Sequence, residues 1–530
     1  MRLSRRGFLA STAVGAAAGS GAHAQQATPK PVPSFELDEL TIAQLQKFTA
    51  QALVEKYFAR INEVDRSGPT LRAVIETNPD ALAIAQALDQ ERQAKGPRGP
   101  LHGIPVLIKD NIDTADRMMT TAGSLSLEGS IAKRDSFVVQ RLRAAGAVIL
   151  GKTNLSEWAN FRSKHSSSGW SGRGGQTRNP YVLDRNTSGS SSGSGAGVAA
   201  NLCAVAVGTE TDGSIISPSA MNGLVGIKPT VGLIGRSGII PISVNQDTAG
   251  PMARTVADAA ALLTVLAGVD PNDPYTQASV GKTAQDYTTF LYPNGLRGAR
   301  IGIARKFFGY SRDVDALMET AIAEMKRLGA AIVDPADLPT HGKFDESEFD
   351  AMLYEFKDGL NRYLSGTQAS VKVRSLDALI AFNEKNRARE MPYFGQEILI
   401  QAQKKGPLTE KAYRDAVAKN RLMSRAQGID AVLANGGKGR LDAIVAPAGG
   451  PAWLIDLVTG DHDTGGSSTP AAVAGYPNIT VPAGFVHGLP VGISFFGAAW
   501  SEGVLIKIAS GFETAVRARK KPEFLSTASV

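Results

Sequence analysis

A serine- and glycine-rich run, residues 188–194, is the most restrictive feature of this 530-residue chain, and five of its seven residues are serine. Side chains this small let backbone segments approach one another closely, and their hydroxyl groups can satisfy backbone polar groups. The glycines at 193, 195 and 197 then open an apolar helix. The run therefore predicts a tightly packed loop that leads into a helix.

Strand and helix patterns alternate along the rest of the chain, which is typical of an α/β protein. A helical apolar spacing covers about 39–65, and a helix over 136–147 precedes a strand at 148–150. Thr255 and Asp258 match a capping box before an apolar helix over 259–266. Other short apolar runs predict strands at 104–108, 443–445, 479–481 and 491–496, and a closing helix covers 501–518.

The chain divides into a leader, a linker and one large domain. Residues 1–24 pair Arg5 and Arg6 with a weakly apolar stretch that ends in Ala-His-Ala, so they predict a twin-arginine signal peptide and a periplasmic or secreted protein. The proline-rich residues 25–37 predict a linker, and 38–520 a single domain. Within it, the charge-rich residues 310–435 predict a helical insertion or lid.

Composition excludes several functions. The formal net charge of +7 falls to +4 once three arginines of the leader are removed, which is too dilute for nucleic-acid binding. The leader is too short and glycine-rich for stable membrane insertion. Cys203, the single cysteine, allows no internal disulfide, and its apolar flanks predict a buried structural thiol. The six histidines show no ligand spacing, so neither a metal nor another cofactor is expected.

Three kinds of chemistry fit the serine-rich run. A phosphate-binding loop would use the start of the helix, but no strand leads into it and no Gly-Lys-Ser/Thr ending follows. A nucleophile elbow would use Ser191 in Gly-x-Ser-x-Gly, with His487 or His462 as the base. The third possibility combines Ser190, Ser214 and Lys109.

The third possibility needs a neutral lysine, because a serine hydroxyl is a poor nucleophile until a base takes its proton. A free lysine has a pKa near 10.4, which must fall by roughly three units, or about 4 kcal/mol, for the amine to be substantially neutral at pH 7. Lys109 directly follows the apolar run 104–108, and apolar surroundings supply that kind of desolvation. The combination of all three residues favours this alternative.

Four motifs in the same order resemble those of amidase signature family hydrolases, and the similarity runs from about residue 40 to 518. Residues 103–111 (GIPVLIKDN) resemble the lysine motif, and 188–194 with 211–215 (TDGSI) resemble the signature itself. Residues 474–485 (AGYPNITVPAGF) resemble the C-terminal motif. The resemblance implies an α/β fold with a large mixed β-sheet core, covered by helices on both faces, and a helical insertion.

In this family Ser214 would be the acyl-accepting nucleophile, Ser190 the bridging serine behind a cis peptide bond, and Lys109 the base. The backbone N–H groups of Thr211, Asp212, Gly213 and Ser214 would form the oxyanion hole. The resemblance implies an enzyme that hydrolyses amide C–N bonds through an acyl-enzyme without a cofactor, as a monomer or homodimer. A non-catalytic binding protein on the same fold, the alternative from another class, would lack one of these side chains.

The serine loop and its flanks are similar to those of the peptide amidase branch, which removes ammonia from C-terminal peptide amides. Ile216 replaces the arginine that many members have, and Ser192 stands where glycine is commoner. Residues 152–161 (KTNLSEWANF) and 173–181 (RGGQTRNPY) also resemble that branch. An aryl acylamidase that cleaves anilides is the alternative. The aromatic residues Trp158, Phe161 and Trp170 are candidates to line the substrate pocket, and the alternative is that they belong to the core.

Overall fold

A large mixed β-sheet forms the centre of the computed structural model, which describes residues 32–435, 437 and 439–528. Within this part of the chain the strands are β1 (Val74–Thr77), β2 (Pro105–Lys109), β3 (Val148–Thr153), β4 (Trp170–Ser171), β5 (Gly175–Gln176), β6 (Val205–Glu210), β7 (Val225–Lys228), β8 (Thr248–Ala253), β9 (Arg300–Ile303), β10 (Ala331–Val333), β11 (Ala443–Pro447), β12 (Asn478–Val486) and β13 (Leu489–Phe496).

All of these strands except β4 and β5, which pair with each other, join one sheet. Across the described residues its order is β1-β3-β2-β6-β8-β7-β12-β13-β11-β9-β10. The pairs β3-β2, β2-β6, β11-β9 and β9-β10 are parallel, and the others are antiparallel. The α/β fold with a large mixed sheet is therefore confirmed.

Helices of very different lengths surround the sheet. The α-helices of the described residues are α1 (Ile42–Leu45), α2 (Ala50–Arg60), α3 (Ala81–Lys95), α4 (Phe137–Ala144), α5 (Ser192–Ala199), α6 (Ile216–Met221), α7 (Val256–Leu266), α8 (Arg312–Arg327), α9 (Asp345–Gly366), α10 (Leu376–Lys385), α11 (Arg387–Glu390), α12 (Glu397–Gln403), α13 (Lys411–Ser424), α14 (Asp430–Ala434), α15 (Thr469–Ala474) and α16 (Glu502–Val516). No helix in the described residues is long and apolar enough to cross a bilayer.

The central strands are covered on both faces. Every residue of β2, β3, β6, β8 and β13 is buried. Because successive side chains of a strand point to opposite faces, a strand buried at every position has packing on both sides. This explains why the sequence shows continuous apolar runs rather than alternation. Cys203 lies in the same core and is fully buried, as its neighbours predict.

Local signals fix several element boundaries. The side chains of Ser136 and Thr255 accept hydrogen bonds from the third residues of α4 and α7. Helix α4 therefore begins next to its predicted start, and α7 begins at Val256, directly after the predicted cap and three residues before the predicted apolar stretch. Strand β3 runs on through Gly151 and Lys152 to Thr153, beyond the predicted end at Leu150. It does so because its last residues pair with both β1 and β2.

The helical region begins later than the sequence predicts. Helix α8 packs on β12, and β10 adds a parallel edge strand next to β9, so these elements belong to the sheet layer. The helices from α9 to α14 then follow with no strand among them in the described residues. The described residues from 32 to 528 belong to one compact unit. The predicted signal peptide at 1–24, and the linker up to residue 31, lie outside the described residues.

Candidate active site

Lys109 is the last residue of β2, and its side chain is fully buried. Its Nζ atom lies 2.7 Å from the Oγ atom of Ser190. The same nitrogen lies 2.9 Å from the hydroxyl oxygen of Thr209 and 3.2 Å from its carbonyl oxygen. The structure therefore brings Lys109 and Ser190 into the direct contact that the sequence predicts.

Burial lowers the pKa of Lys109 to about 7, although the carboxylates of Glu210 and Asp247 act in the opposite direction. A neutral amine has two N–H bonds and one lone pair. The two oxygens of Thr209 can accept the two N–H bonds, which leaves the lone pair for the hydroxyl proton of Ser190. This geometry suits a base that draws a proton from Ser190.

The loop that carries Ser190 is packed as closely as its composition predicts. The peptide bond between Gly189 and Ser190 is cis, as the family resemblance implies. A Cβ atom on Gly189 would lie 2.2 Å from the Oγ atom of Ser156, and one on Gly193 would lie 2.2 Å from the carbonyl oxygen of Ala73. No larger residue fits at either position without moving its neighbours.

Hydroxyl groups of this loop satisfy backbone carbonyls inside the protein. Ser191 donates to the carbonyl of Thr209 at 3.0 Å, and Ser192 donates to that of Ser188 at 2.7 Å. Because these hydroxyls serve the backbone, the loop can be buried without orphaned carbonyl groups. The prediction that serine would do this is confirmed at these positions.

Ser214 lies in the loop between β6 and α6 and is 8% exposed. Its carbonyl oxygen accepts a hydrogen bond from the backbone N–H of Ser191 at 3.2 Å. The backbone of the predicted nucleophile is thus joined to the residue that follows the predicted bridging serine. The roles of Ser190 and Ser214 in catalysis remain predictions.

Residues 211–214 form the predicted oxyanion hole, and Gly213 adopts a φ of +78° there. Within the described residues, no group accepts a hydrogen bond from the backbone N–H of any of these four residues. The carboxylate of Glu210 accepts the N–H groups of Ile215 and Ile216 at 2.7 and 2.9 Å, which fixes the start of α6. The four N–H groups are therefore available to a ligand.

Two further carboxyl groups hold this loop. Asp212 accepts hydrogen bonds from the hydroxyls of Ser468 and Thr469 at 2.6 and 2.7 Å. Asp247 accepts one from the hydroxyl of Thr211 at 2.6 Å. The loop is thus tied to the start of α15 on one side and to the segment before β8 on the other.

A cavity of about 280 Å³ reaches this region between the sheet and the helical region. Thr209 and Thr211 form its wall near the lysine, and Ile240 lies in the same wall. Glu355 and Gly359 of α9 form the opposite side. The helical region therefore contributes directly to a space beside the predicted catalytic residues.

The aromatic residues predicted to contact substrate lie in packed clusters. Trp158, Phe161 and Trp170 are all buried, and in the described part of the chain none of them lines that cavity. The ring of Phe161 lies 5.0 Å from that of Phe356 on α9, and the guanidinium of Arg162 lies 5.1 Å from the ring of Trp170. They anchor the helical region, and a contact with substrate remains a prediction.

The histidines needed for a nucleophile elbow lie elsewhere. His487 occupies the exposed turn between β12 and β13, 3.3 Å from Asp313. His462 pairs with Asp456 at 3.3 Å, and neither histidine bonds to Ser191. The elbow alternative is therefore not supported. Among the described residues, no group of three or more His, Cys, Asp or Glu side chains could hold a metal ion.

Thr209 is a site residue that sequence reasoning missed. Its hydroxyl oxygen accepts hydrogen bonds from Lys109 and, at 3.0 Å, from the side-chain amide of Asn111. Strands β2 and β6 are parallel neighbours, with Ile108 opposite Val207, so Thr209 lies near the end of the strand that carries Lys109. Residues 205–210 are not among the predicted strands; recognising that strand and pairing it with β2 would have found Thr209.

The chain is similar in sequence and in structure to several known proteins. The sequence model of the family described as Amidase matches residues 52–506. A probable amidase from Arabidopsis thaliana is 44% identical over 508 residues, which covers 93% of each chain. The native peptide amidase of Stenotrophomonas maltophilia is 51% identical, with a TM-score of 0.87 over 93% of this chain and all of that one. A complex of a peptide amidase with the competitive inhibitor chymostatin is 52% identical, with a TM-score of 0.89 over 92% of this chain and 100% of that one.

Proposed function

The chain belongs to the amidase signature family and is a hydrolase of amide C–N bonds, and on that premise we propose that it works through Ser214, Ser190 and Lys109. Neutral Lys109 takes the hydroxyl proton of Ser190, which in turn takes the proton of Ser214. The Ser214 oxygen then attacks the carbonyl carbon of the amide and forms a tetrahedral oxyanion.

The free N–H groups of residues 211–214 receive this oxyanion. One such donor typically lowers the barrier by about 3–4 kcal/mol. Collapse of the intermediate breaks the C–N bond, and protonated Lys109 returns its proton through Ser190 to the leaving nitrogen. Water repeats the sequence on the acyl-enzyme, which releases the acid and restores the Ser214 hydroxyl.

The observation that carries this proposal is the contact of 2.7 Å between Lys109 Nζ and Ser190 Oγ inside a fully buried site. Burial favours the neutral amine, and only the neutral amine can accept a proton. The backbone contact between Ser191 and Ser214 supports the second half of the relay.

We propose C-terminal peptide amides as the substrates. Relatives described as peptide amidases support this choice through their identity with this chain over nearly its whole length. Anilides are the alternative class, because an aryl amine is also a neutral leaving group.

A direct comparison of leaving groups tests the substrate class. A blocked dipeptide is prepared both as its C-terminal amide and as its p-nitroanilide, and release of ammonia or nitroaniline is followed with purified protein. The proposal expects the larger kcat/KM for the amide, with the internal peptide bond intact by mass spectrometry. A larger kcat/KM for the anilide would favour the aryl acylamidase alternative.

We also propose export by the twin-arginine route, because Arg5 and Arg6 precede the apolar stretch and the cleavage motif. The full chain and its double variant Arg5→Lys/Arg6→Lys are compared by cell fractionation in a bacterial host. We expect the protein in the periplasm or medium, and retention of the double variant in the cytoplasm. Equal distribution of the two proteins would contradict export.

A further inference from the structure

The loop that carries Ser214 is in contact with the helical region through Gln246 and Glu348. The side-chain amide of Gln246 donates to the Glu348 carboxyl at 2.8 Å and to the carbonyl oxygen of Thr211 at 3.3 Å. Glu348 lies in the first turn of α9 and is 5% exposed. Its carboxyl group is also within hydrogen-bonding reach of the carboxyl group of Asp212.

Two carboxylates so close together repel each other unless one of them holds a proton. Asp212 already accepts hydrogen bonds from two hydroxyls, so its charge is stabilised. Glu348 has the amide of Gln246 as its other partner, which provides no full positive charge. The proton between the two groups therefore belongs on Glu348.

The other charged groups around Glu348 do not change this assignment. Asp345 on the same helix adds a further negative charge. The basic side chains of neighbouring elements bind elsewhere: Lys228 donates to the carbonyl of Pro229, Arg421 to the side chain of Asn245 and Arg425 to the carbonyl of Ala474. Burial and the charge of Asp212 raise the pKa of Glu348 well above its ordinary value.

We propose that Glu348 is a positioning residue whose protonated carboxyl donates a hydrogen bond to Asp212 and thereby holds the oxyanion loop against α9. The inference rests on the proposed function in one respect, since it assumes that residues 211–214 bind the oxyanion. Loss of this proton leaves two adjacent carboxylates, whose repulsion separates the loop from α9 and disturbs the N–H groups that precede Ser214. The helical region thus acts on catalysis through a single proton.

The first test compares pH profiles of kcat on one amide substrate for the wild type, Glu348→Gln and Glu348→Ala. The glutamine amide donates to Asp212 at every pH, so we expect near wild-type kcat at neutral pH. We expect kcat of the wild type to fall at alkaline pH and kcat of Glu348→Gln not to show this fall. The alanine variant lacks the donor, and its kcat should drop about tenfold, a fraction of the 10²–10³-fold cost of removing one oxyanion donor. Glu346→Gln, an exposed site on the same helix, is the matched control and should follow the wild type.

A second readout needs no activity and separates this inference from the proposed function. A carboxyl with a raised native pKa contributes stability that is complete below its unfolded pKa and is lost as the pH rises through its native pKa. The stability of Glu348→Gln relative to the wild type should therefore increase from about pH 5 upwards, while that of Glu346→Gln should not.

The outcomes are distinct. A relative stability of Glu348→Gln that grows with pH supports the shared proton even if no tested amide is hydrolysed, in which case only the proposed function fails. The inference is overturned if two results are found together. The stability difference between Glu348→Gln and the wild type is independent of pH, and the alkaline fall of kcat is either the same in both proteins or absent from both.

Discussion

Replacing Lys109 by methionine tests the central electrostatic argument, because methionine keeps most of the side-chain volume and removes the titrating amine. The pKa of Lys109 is about 7 in the folded protein and 10.5 in an unperturbed lysine. Since one pKa unit corresponds to about 1.36 kcal/mol, folding works against the ammonium form by about 5 kcal/mol. The wild type bears this cost in full at and below neutral pH.

The cost disappears as the pH rises. Between pH 7 and about 10.5 the unfolded chain holds a proton on this lysine that the folded protein has lost, so the stability of the wild type rises with pH by about 1.4 kcal/mol per unit on account of Lys109. Lys109→Met has no such dependence. The variant should therefore be the more stable protein at pH 7, with an advantage that shrinks towards pH 10.

The hydrogen bonds to Ser190 and Thr209 limit the absolute gain, because each unsatisfied buried partner costs about 1–3 kcal/mol. The slope of stability against pH does not depend on these hydrogen bonds, since the groups that form them do not titrate in this range. The assay is urea unfolding of both proteins at pH 7, 8, 9 and 10, with amide hydrolysis measured on the same samples.

Hydrolysis by Lys109→Met should fall at least a thousandfold, within the 10²–10⁴-fold range of general base catalysis. For the wild type, kcat/KM should rise through about pH 7 as the lysine becomes neutral. A stability difference between the two proteins that stays constant from pH 7 to 10 would refute the argument, because it would mean that Lys109 keeps its ordinary pKa when folded.

Two further substitutions test the assignment of the nucleophile and the base. Ser214→Ala should abolish amide hydrolysis and leave thermal unfolding unchanged. The control Ser510→Ala makes the same change at a buried serine of α16 and should keep its activity. Residual activity above one per cent in Ser214→Ala would remove Ser214 from the mechanism. His487→Ala should leave kcat/KM within about twofold, since this side chain is 54% exposed beside Asp313, and an inactive variant would restore the histidine-based alternative.

The contact between Lys109 and Ser190 could be predicted because each residue belongs to a short motif that is recognisable in the sequence. All five residues of β2 are buried, so the side chain of its last residue, Lys109, is desolvated. Glycine at 189 and 193 is required because backbone and side chains lie within 2.2 Å of where a Cβ atom would be. The small residue types are visible in the sequence, although the atoms that exclude a Cβ atom belong to Ser156 and Ala73, which are distant along the chain.

Contacts that depend on distant segments could not be predicted in this way. Thr209 becomes a partner of Lys109 only through the register between β2 and β6. Glu348 lies in a helical region without a motif, and its relation to Asp212 arises only from the packing of α9. The apolar spacing of Trp158 and Phe161 shows that they are buried, but not whether a cavity or another helix covers them.

The structure also shows why carboxylates so near the base do not hold it in its charged form. One oxygen of Glu210 is occupied by the N–H groups at the start of α6, and Asp247 accepts the hydroxyl of Thr211. Neither acid forms an ion pair with Lys109, whose nitrogen contacts only hydroxyl and carbonyl oxygens among the described residues.

These acids therefore raise the pKa of Lys109 only through space, against a larger effect of burial that lowers it. A direct ion pair would stabilise the ammonium form, and a proton acceptor would be lost. Full burial without the two acids would lower the pKa further and weaken the base, since a useful catalytic pKa lies near the working pH. The carboxylates that hold the oxyanion loop thus also set the basicity of Lys109. Through these buried charges, the oxyanion loop and the catalytic base are coupled.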